Sequence, residues 1–130
     1  GVTRANLGAK NFEPYISQVG KTAASPKTDP ALFADAIADR ASCDPSIVLG
    51  DFEACNAFDI RDRLPEIGTE VLIISASDDI LTPPRYADYL EERLTRARRV
   101  HIDDAGHFVA LEQSSQVDLS VRDFLDNLDK

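Results

Sequence analysis

The stretch Val71-Leu72-Ile73-Ile74-Ser75-Ala76-Ser77-Asp78-Asp79-Ile80-Leu81-Thr82-Pro83-Pro84 decides the fold. It opens on an apolar, β-branched-rich run, Val71 to Ile74. Such a run fits a strand buried on both faces, as parallel sheets require. The run stops at Ser75-Ala76-Ser77, and two carboxylates follow, Asp78 and Asp79. Thr82-Pro83-Pro84 then starts a new element. A hydroxyl before proline marks an N-cap and first turn, because proline lacks only a donor that the first turn cannot use. An acidic pair therefore lies in the loop between the C-terminal end of a buried strand and a helix. In open α/β sheets that edge is where sites are built.

A second copy of this layout follows. Arg99 to Asp103 reads as a strand, Asp104-Ala105-Gly106-His107-Phe108 as its loop, and a final helix comes after. Strand, helix and strand with so short a crossover imply adjacent parallel strands joined right-handedly. Both polar loops then emerge at one edge. Asp79 and His107 can meet there across one strand spacing.

At this point the residues resemble a known family. Ala76-Ser77-Asp78-Asp79-Ile80-Leu81-Thr82-Pro83-Pro84 is similar to the acid loop of α/β-hydrolases, commonly Gly-x-x-Asp-x-x-x-Pro. Asp104-Ala105-Gly106-His107-Phe108-Val109-Ala110-Leu111-Glu112 is similar to their histidine loop. The matching runs from about Asp51 to Leu128. The resemblance implies that Asp79 is the triad acid and His107 the general base. Ala76 stands where the family usually has Gly, and Glu70 where a Pro often precedes the strand. A register shifted by one makes Asp78 the acid, but Thr82-Pro83-Pro84 aligns better with Asp79. The family's nucleophile sits on a Gly-x-Ser-x-Gly elbow upstream of the acid. No such pentapeptide and no Gly-rich oxyanion loop occur in these 130 residues.

The expected fold is α/β. A helical cap segment is followed by the last two parallel strands and two helices of an α/β-hydrolase sheet. Residues 1–67 form the cap-like segment and return linker. Residues 68–130 form the C-terminal strand-helix-strand-helix lobe. The chain opens on Gly1 rather than Met, which points to processing or to a longer parent.

The formal net charge is −9 and the pI about 4.5. Nucleic acid and anionic membranes demand a basic face, so both are excluded as partners. No apolar run approaches the roughly 20 residues that span a bilayer. Cys43 and Cys55 read as reduced, buried thiols, with no further ligands for a metal. Cytoplasm is the default location.

Along the chain, Phe12, Tyr15, Ile16 and Val19 fall at helical spacing, with Gly20 as the stop. Lys21 to Thr28 is a loop. Asp29-Pro30 repeats the cap-and-proline signal, and Leu32, Phe33, Ala36 and Ile37 give the next helix its apolar face. Ser42 to Pro45 breaks that helix. Asp44 or Ser46 caps a short turn through Leu49, and Gly50-Asp51 starts another helix with Phe52, Cys55 and Phe58 inward. After Pro83, a stripe of Tyr86, Tyr89, Leu90 and Leu94 is helical. Glu91, Glu92, Arg93, Arg96, Arg98 and Arg99 form a solvated surface. Val117, Val121, Phe124, Leu125 and Leu128 define a last helix whose face packs on the sheet.

Asp79 and His107 are thus the catalytic candidates, since an imidazole base needs a carboxylate to hold its tautomer. Gly106 lets the backbone bend sharply before the histidine. Asp78 is a solvated neighbour turned away, Asp103 and Asp104 help close the histidine turn, and Thr82 is a cap. His101 carries no motif. Phe108 and Tyr86 either line a substrate pocket or pack in the core.

The resemblance implies the C-terminal portion of a small-molecule α/β-hydrolase. It would hydrolyse an ester or related acyl bond with a Ser-Asp-His triad, supplying acid and base but not the nucleophile. No metal or cofactor is implied. Relatives with Asp at the elbow open haloalkanes or epoxides, and others use Ser for C–C cleavage. Two rivals remain: a non-catalytic binding module derived from a hydrolase, and an unrelated α/β domain. The partners expected are a small-molecule substrate and a cover for the apolar strand. That cover is either the N-terminal hydrolase segment or a second copy of the chain.

Overall fold

The computed structural model describes residues 12–128; residues 1–11 and 129–130 of the expected cap and lobe lie outside them. The chain divides into two compact units. One holds the residues up to Thr22 together with Pro30–Asp59, the other Ala23–Asp29 together with Ile60 onward.

The first unit is helical. Helix α1 spans Phe12–Ala23, a 3₁₀ turn Pro30–Phe33 leads into α2 at Ala34–Ala41, and α3 spans Pro45–Ala57. Its core gathers Phe12, Ile16 and Val48, with Tyr15, Ala41, Leu49 and Phe52 packed against them. Gly20 does not stop α1, which runs on to Ala23. A Cβ there would come within 2.6 Å of Ile37 Cδ1. Glycine at 20 therefore serves close approach of a side chain, not a left-handed stop. Asp44 caps α3, accepting from Ser46 N at 2.8 Å and Ser46 Oγ at 2.7 Å. These bonds hold its carboxyl below the usual carboxylate range.

No new helix starts at Gly50-Asp51, because α3 is continuous through them. A helical glycine costs only about 1 kcal/mol against Ala and need not interrupt a helix. Cys43 and Cys55 are free but exposed, contrary to the buried thiols expected. Phe58 is also exposed. The apolar cluster ends at Phe52, so the last turn of α3 runs past it.

The second unit carries a 3₁₀ turn at Arg61–Glu66, strand β1 at Val71–Ala76, helix α4 at Pro84–Arg93 and strand β2 at Ala97–Ile102. A one-turn helix α5, Val109–Glu112, and helix α6, Ser114–Asp126, complete it. The two strands pair in parallel, with Ser75 opposite His101 and Ala76 opposite Ile102. This is the parallel strand pair the sequence implied.

Alternation along the strands splits the sheet's side chains between two faces. Ala76, Ile102 and Ala105 form the core of one face, covered by Ile74, Val100, Val109 and Val117. On the other face Arg99 reaches Asp88 and Glu91 of α4. Arg99 is consequently not a solvated charge; its side chain is 19% exposed. Burial in β1 deepens toward the loop, with Ile73, Ser75 and Ala76 buried and Val71, Leu72 and Ile74 half-buried. Two strands shield a strand less than a full sheet does, so β1 is not buried throughout. For the same reason only part of the α6 face is covered. Val117 packs on the core, whereas Val121, Leu125 and Leu128 stay exposed. Tyr86 is exposed as well, and Ala87 is the buried residue of α4.

Candidate active site

Both loops are pinned where the parallel ladder ends. Ser77 N donates to Ile102 O at 3.0 Å, and Asp78 N donates to Ala105 O at 2.9 Å. The acid loop then folds over its own carboxylate. Asp79 Oδ1 accepts from Leu81 N and Thr82 N, both at 2.9 Å, and Oδ2 accepts from Thr82 Oγ1 at 2.7 Å. An Asp that bonds amides two and three residues ahead builds its own turn. Thr82 is therefore not the N-cap of α4. Pro83 holds that position without a side-chain bond, and the Thr82 hydroxyl is spent on Asp79.

The base loop is shaped by two residues. Asp104 adopts a left-handed φ of 58°, which Asp tolerates better than most side chains. Its N–H donates to Ser77 Oγ at 3.0 Å. Gly106 has no positive φ, so bending is not its role. A Cβ there would lie 2.4 Å from Ala23 O and 2.5 Å from Ser25 N. The base loop thus presses directly on the backbone of Ala23–Ser25. His107 N donates to Ala23 O at 2.7 Å, which sets the histidine's backbone.

His107 Nδ1 lies 3.0 Å from Asp79 Oδ2 and 3.2 Å from Oδ1, with Thr82 Oγ1 at 3.3 Å. An ionised carboxylate only accepts, so the proton of the neutral imidazole resides on Nδ1. Nε2 is left with a lone pair and, among the described residues, no hydrogen-bond partner. The His107 side chain is 37% exposed and the Asp79 side chain 9%. Burial pushes the Asp79 carboxyl up. The bonds from the Thr82 hydroxyl and amide, with His107 beside it, outweigh that and hold it below the usual range.

It is Asp79, not Asp78, that meets the His107 ring. Asp78 accepts from Ser25 Oγ at 2.5 Å and from Ser77 Oγ at 3.0 Å, so it is tied into the structure, not simply solvated. Those bonds, the one from Ser25 foremost, lower its carboxyl. Asp104 pairs with Lys27, which raises that ammonium's pKa. Phe108 is half-buried and stands edge-on to the His107 ring, with centroids 5.9 Å apart. Tyr86 lies under the Arg85 guanidinium, 4.9 Å away, on the exposed side of α4.

The second histidine makes a different contact. His101 Nδ1 is 3.0 Å from Ser75 Oγ, its cross-strand partner, and Nε2 is 3.7 Å from Asp103 Oδ1. Ser75 is 8% exposed and its hydroxyl also meets Arg99 Nε at 3.4 Å. This is a cross-strand contact of the ladder, at the Ser75–His101 pair. Among the described residues, no group of three His, Cys, Asp or Glu side chains is placed to hold a metal ion. No described helix is long and apolar enough to cross a membrane.

Sequence reading gives no role to Ser25, Thr28 or Glu112, and makes the Thr82 hydroxyl a helix cap rather than a donor to Asp79. Ser25 and Thr28 lie in a small polar loop some 80 residues upstream, and nothing local ties such a loop to the histidine turn. Glu112 closes the quoted histidine motif, but only its hydrogen bonds reveal what it does.

Residues 4–114 match the family model for the alpha/beta hydrolase fold. The chain belongs to the alpha/beta hydrolase family. It is 32% identical over 91 residues to a pimeloyl-[acyl-carrier protein] methyl ester esterase of Neisseria meningitidis, covering 69% of this chain and 29% of that protein. Among solved structures, the enol-lactonase from Burkholderia xenovorans superposes with a TM-score of 0.86 at 22% identity. That match covers 95% of this chain and 48% of the lactonase. An esterase from Exiguobacterium antarcticum gives 0.84 at 16% identity, covering 98% and 50%. At these identities the structural likeness speaks for the fold. The chain spans about half the length of these solved hydrolases and under a third of the Neisseria esterase.

The depressed Asp79 carboxyl carries a pH signature. Its folded pKa lies below the unfolded value of about 3.9. Its contribution to stability is therefore complete above that value and is lost as pH falls through the folded pKa. Urea unfolding from pH 6 to pH 2 should show this loss. Thr82→Val removes the hydroxyl donor and brings the folded pKa closer to the unfolded one, so the loss should be smaller and be complete at higher pH. Asp79→Asn should remove this contribution to the slope. Identical acid limbs in all three proteins would show that Thr82 does not hold the charge.

Proposed function

We propose that residues 1–130 supply the acid and base of a serine-dependent hydrolase acting on small esters or related acyl compounds. The observation that carries this reading is the 3.0 Å contact between His107 Nδ1 and Asp79 Oδ2, which leaves Nε2 as the basic nitrogen. The ester specificity named for the Neisseria relative supports it. The nucleophile is a serine outside these 130 residues. His107 Nε2 takes the hydroxyl proton as the serine oxygen bonds to the acyl carbon, and gives that proton to the leaving alcohol. In the second half, Nε2 takes a proton from water, hydroxide attacks the acyl-enzyme, and the proton returns to serine. Asp79 keeps the imidazole in the Nδ1–H form and stabilises the imidazolium. Phe108, beside the base, and Tyr86 line the substrate side. Residues 1–67 act as cap segment and return linker, and residues 68–130 as the C-terminal lobe. The half-buried edge of β1 accepts the segment that carries the nucleophile.

The test is an aryl ester assay. Residues 1–130 alone should hydrolyse p-nitrophenyl acetate no faster than free imidazole at equal concentration. A polypeptide extended upstream through a Gly-x-Ser-x-Gly elbow should turn the ester over. Strong activity from residues 1–130 that survives His107→Ala would place the chemistry elsewhere. The rival reading as a binding module rests on the absence of the elbow pentapeptide from this sequence. An extended polypeptide that folds yet stays inert on aryl and alkyl esters would favour it.

A further inference from the structure

The Glu112 carboxylate gathers donors from both sides of His107 and from a distant loop. Oε2 accepts from Ser25 N at 2.8 Å, Thr28 Oγ1 at 2.8 Å and Gly106 N at 2.9 Å. Oε1 accepts from Phe108 N at 3.0 Å. The three successive amides of Gly106, His107 and Phe108 are therefore all committed, the outer two to Glu112 and the middle one to Ala23 O. One-turn helix α5 makes this possible, because it returns Glu112 beneath Phe108 at i,i+4 spacing.

The loop Ala23–Asp29 is fastened at further points. Ser25 Oγ donates to Asp78, next to the acid, and Lys27 pairs with Asp104, at the start of the base turn. It is a strap that touches both functional loops.

We propose that Glu112 is a positioning residue for His107, acting through the Gly106 and Phe108 amides and through the strap Ala23–Asp29. The proposal rests on His107 being the base for its kinetic consequence, but its structural half stands apart from that reading. An ionised carboxylate offers about four acceptor sites and can satisfy four converging donors. A Gln at 112 has one acceptor oxygen and turns an NH₂ group toward the remaining donors. Unsatisfied half-buried donors are costly, so the turn relaxes and the strap loosens. A shift of about 1 Å at a reacting group can cost on the order of 10²-fold in rate.

The experiment uses the ester-hydrolysing polypeptide and two readouts, steady-state kinetics and the His107 ring signals in proton–nitrogen NMR. Glu112→Gln should lower kcat on the order of 10²-fold with KM nearly unchanged. It should also shift or broaden the Nδ1–H resonance of the His107–Asp79 bond. Thr28→Val removes one donor and should lower kcat roughly fivefold. A folded Glu112→Gln protein with wild-type kcat and unmoved His107 ring signals overturns the proposal. If Glu112→Gln does not fold, Thr28→Val decides by the same two readouts. Activity that survives His107→Ala would instead defeat the hydrolase reading, while the ring signals would still report on Glu112.

Discussion

If a polypeptide extended upstream hydrolyses esters as proposed, His107→Ala in it should lower kcat on the order of 10⁶-fold, the loss seen when a serine triad loses its base. The size of the effect follows from the geometry. Nδ1 is engaged by Asp79, so in the proposed mechanism Nε2 takes and returns the serine proton. Asp79→Asn should cost on the order of 10⁴-fold, because the amide can stabilise the wrong tautomer and carries no charge to oppose the imidazolium. Asp78→Asn should stay within about tenfold of wild type. Its carboxylate is held by Ser25 and Ser77, whereas the His107 ring is bonded by Asp79. The three variants, assayed with one aryl ester at several pH values, separate the two registers of the acid. Equal losses from Asp78→Asn and Asp79→Asn would refute the assignment of Asp79 alone.

The largest effect on stability should come from Gly106→Ala. The added Cβ would meet Ala23 O at 2.4 Å, Ser25 N at 2.5 Å and Ala24 C at 2.7 Å. All three are backbone atoms and cannot rotate aside. The strap must move away, and the bond from His107 N to Ala23 O goes with it. Overpacking of this kind costs about 1–3 kcal/mol, and the upper end is expected where backbone meets backbone. Urea unfolding should show a lower midpoint with a similar slope, and ester turnover should fall as His107 loses its place. Gly50→Ala is the matched control. No heavy atom lies within 4 Å of its added Cβ, and the site is helical. That change should raise stability by up to about 1 kcal/mol through helix propensity. A Gly106→Ala protein as stable as wild type would mean that the strap is not packed against the base loop.

By itself, the sequence determined the elements nearest the site. Four apolar residues at Val71–Ile74, the acid pair after them and the proline signal at Thr82-Pro83-Pro84 are local features, and local chemistry settles them. The spacing between the two strand-loop units is short enough to force a parallel pair. That pairing brings Asp79 and His107 to one edge, where they lie 3.0 Å apart. Distant neighbours decide the rest. Gly20 and Gly106 suggest special backbone angles from sequence, yet both lack a positive φ and serve close approach to chain far away in sequence. Helical phase places Cys55 inward, but the cluster that would bury it ends at Phe52. The charged run around Arg99 predicts a solvated side chain, but α4 supplies Asp88 and Glu91 to it. The strap is the clearest case. Ser25 and Thr28 lie 87 and 84 residues from Glu112 and share no periodicity with it, so no window of sequence joins them. Only the folded chain decides that one carboxylate holds four donors around His107, because hydrogen-bond partners are chosen by proximity in space and not by order along the chain.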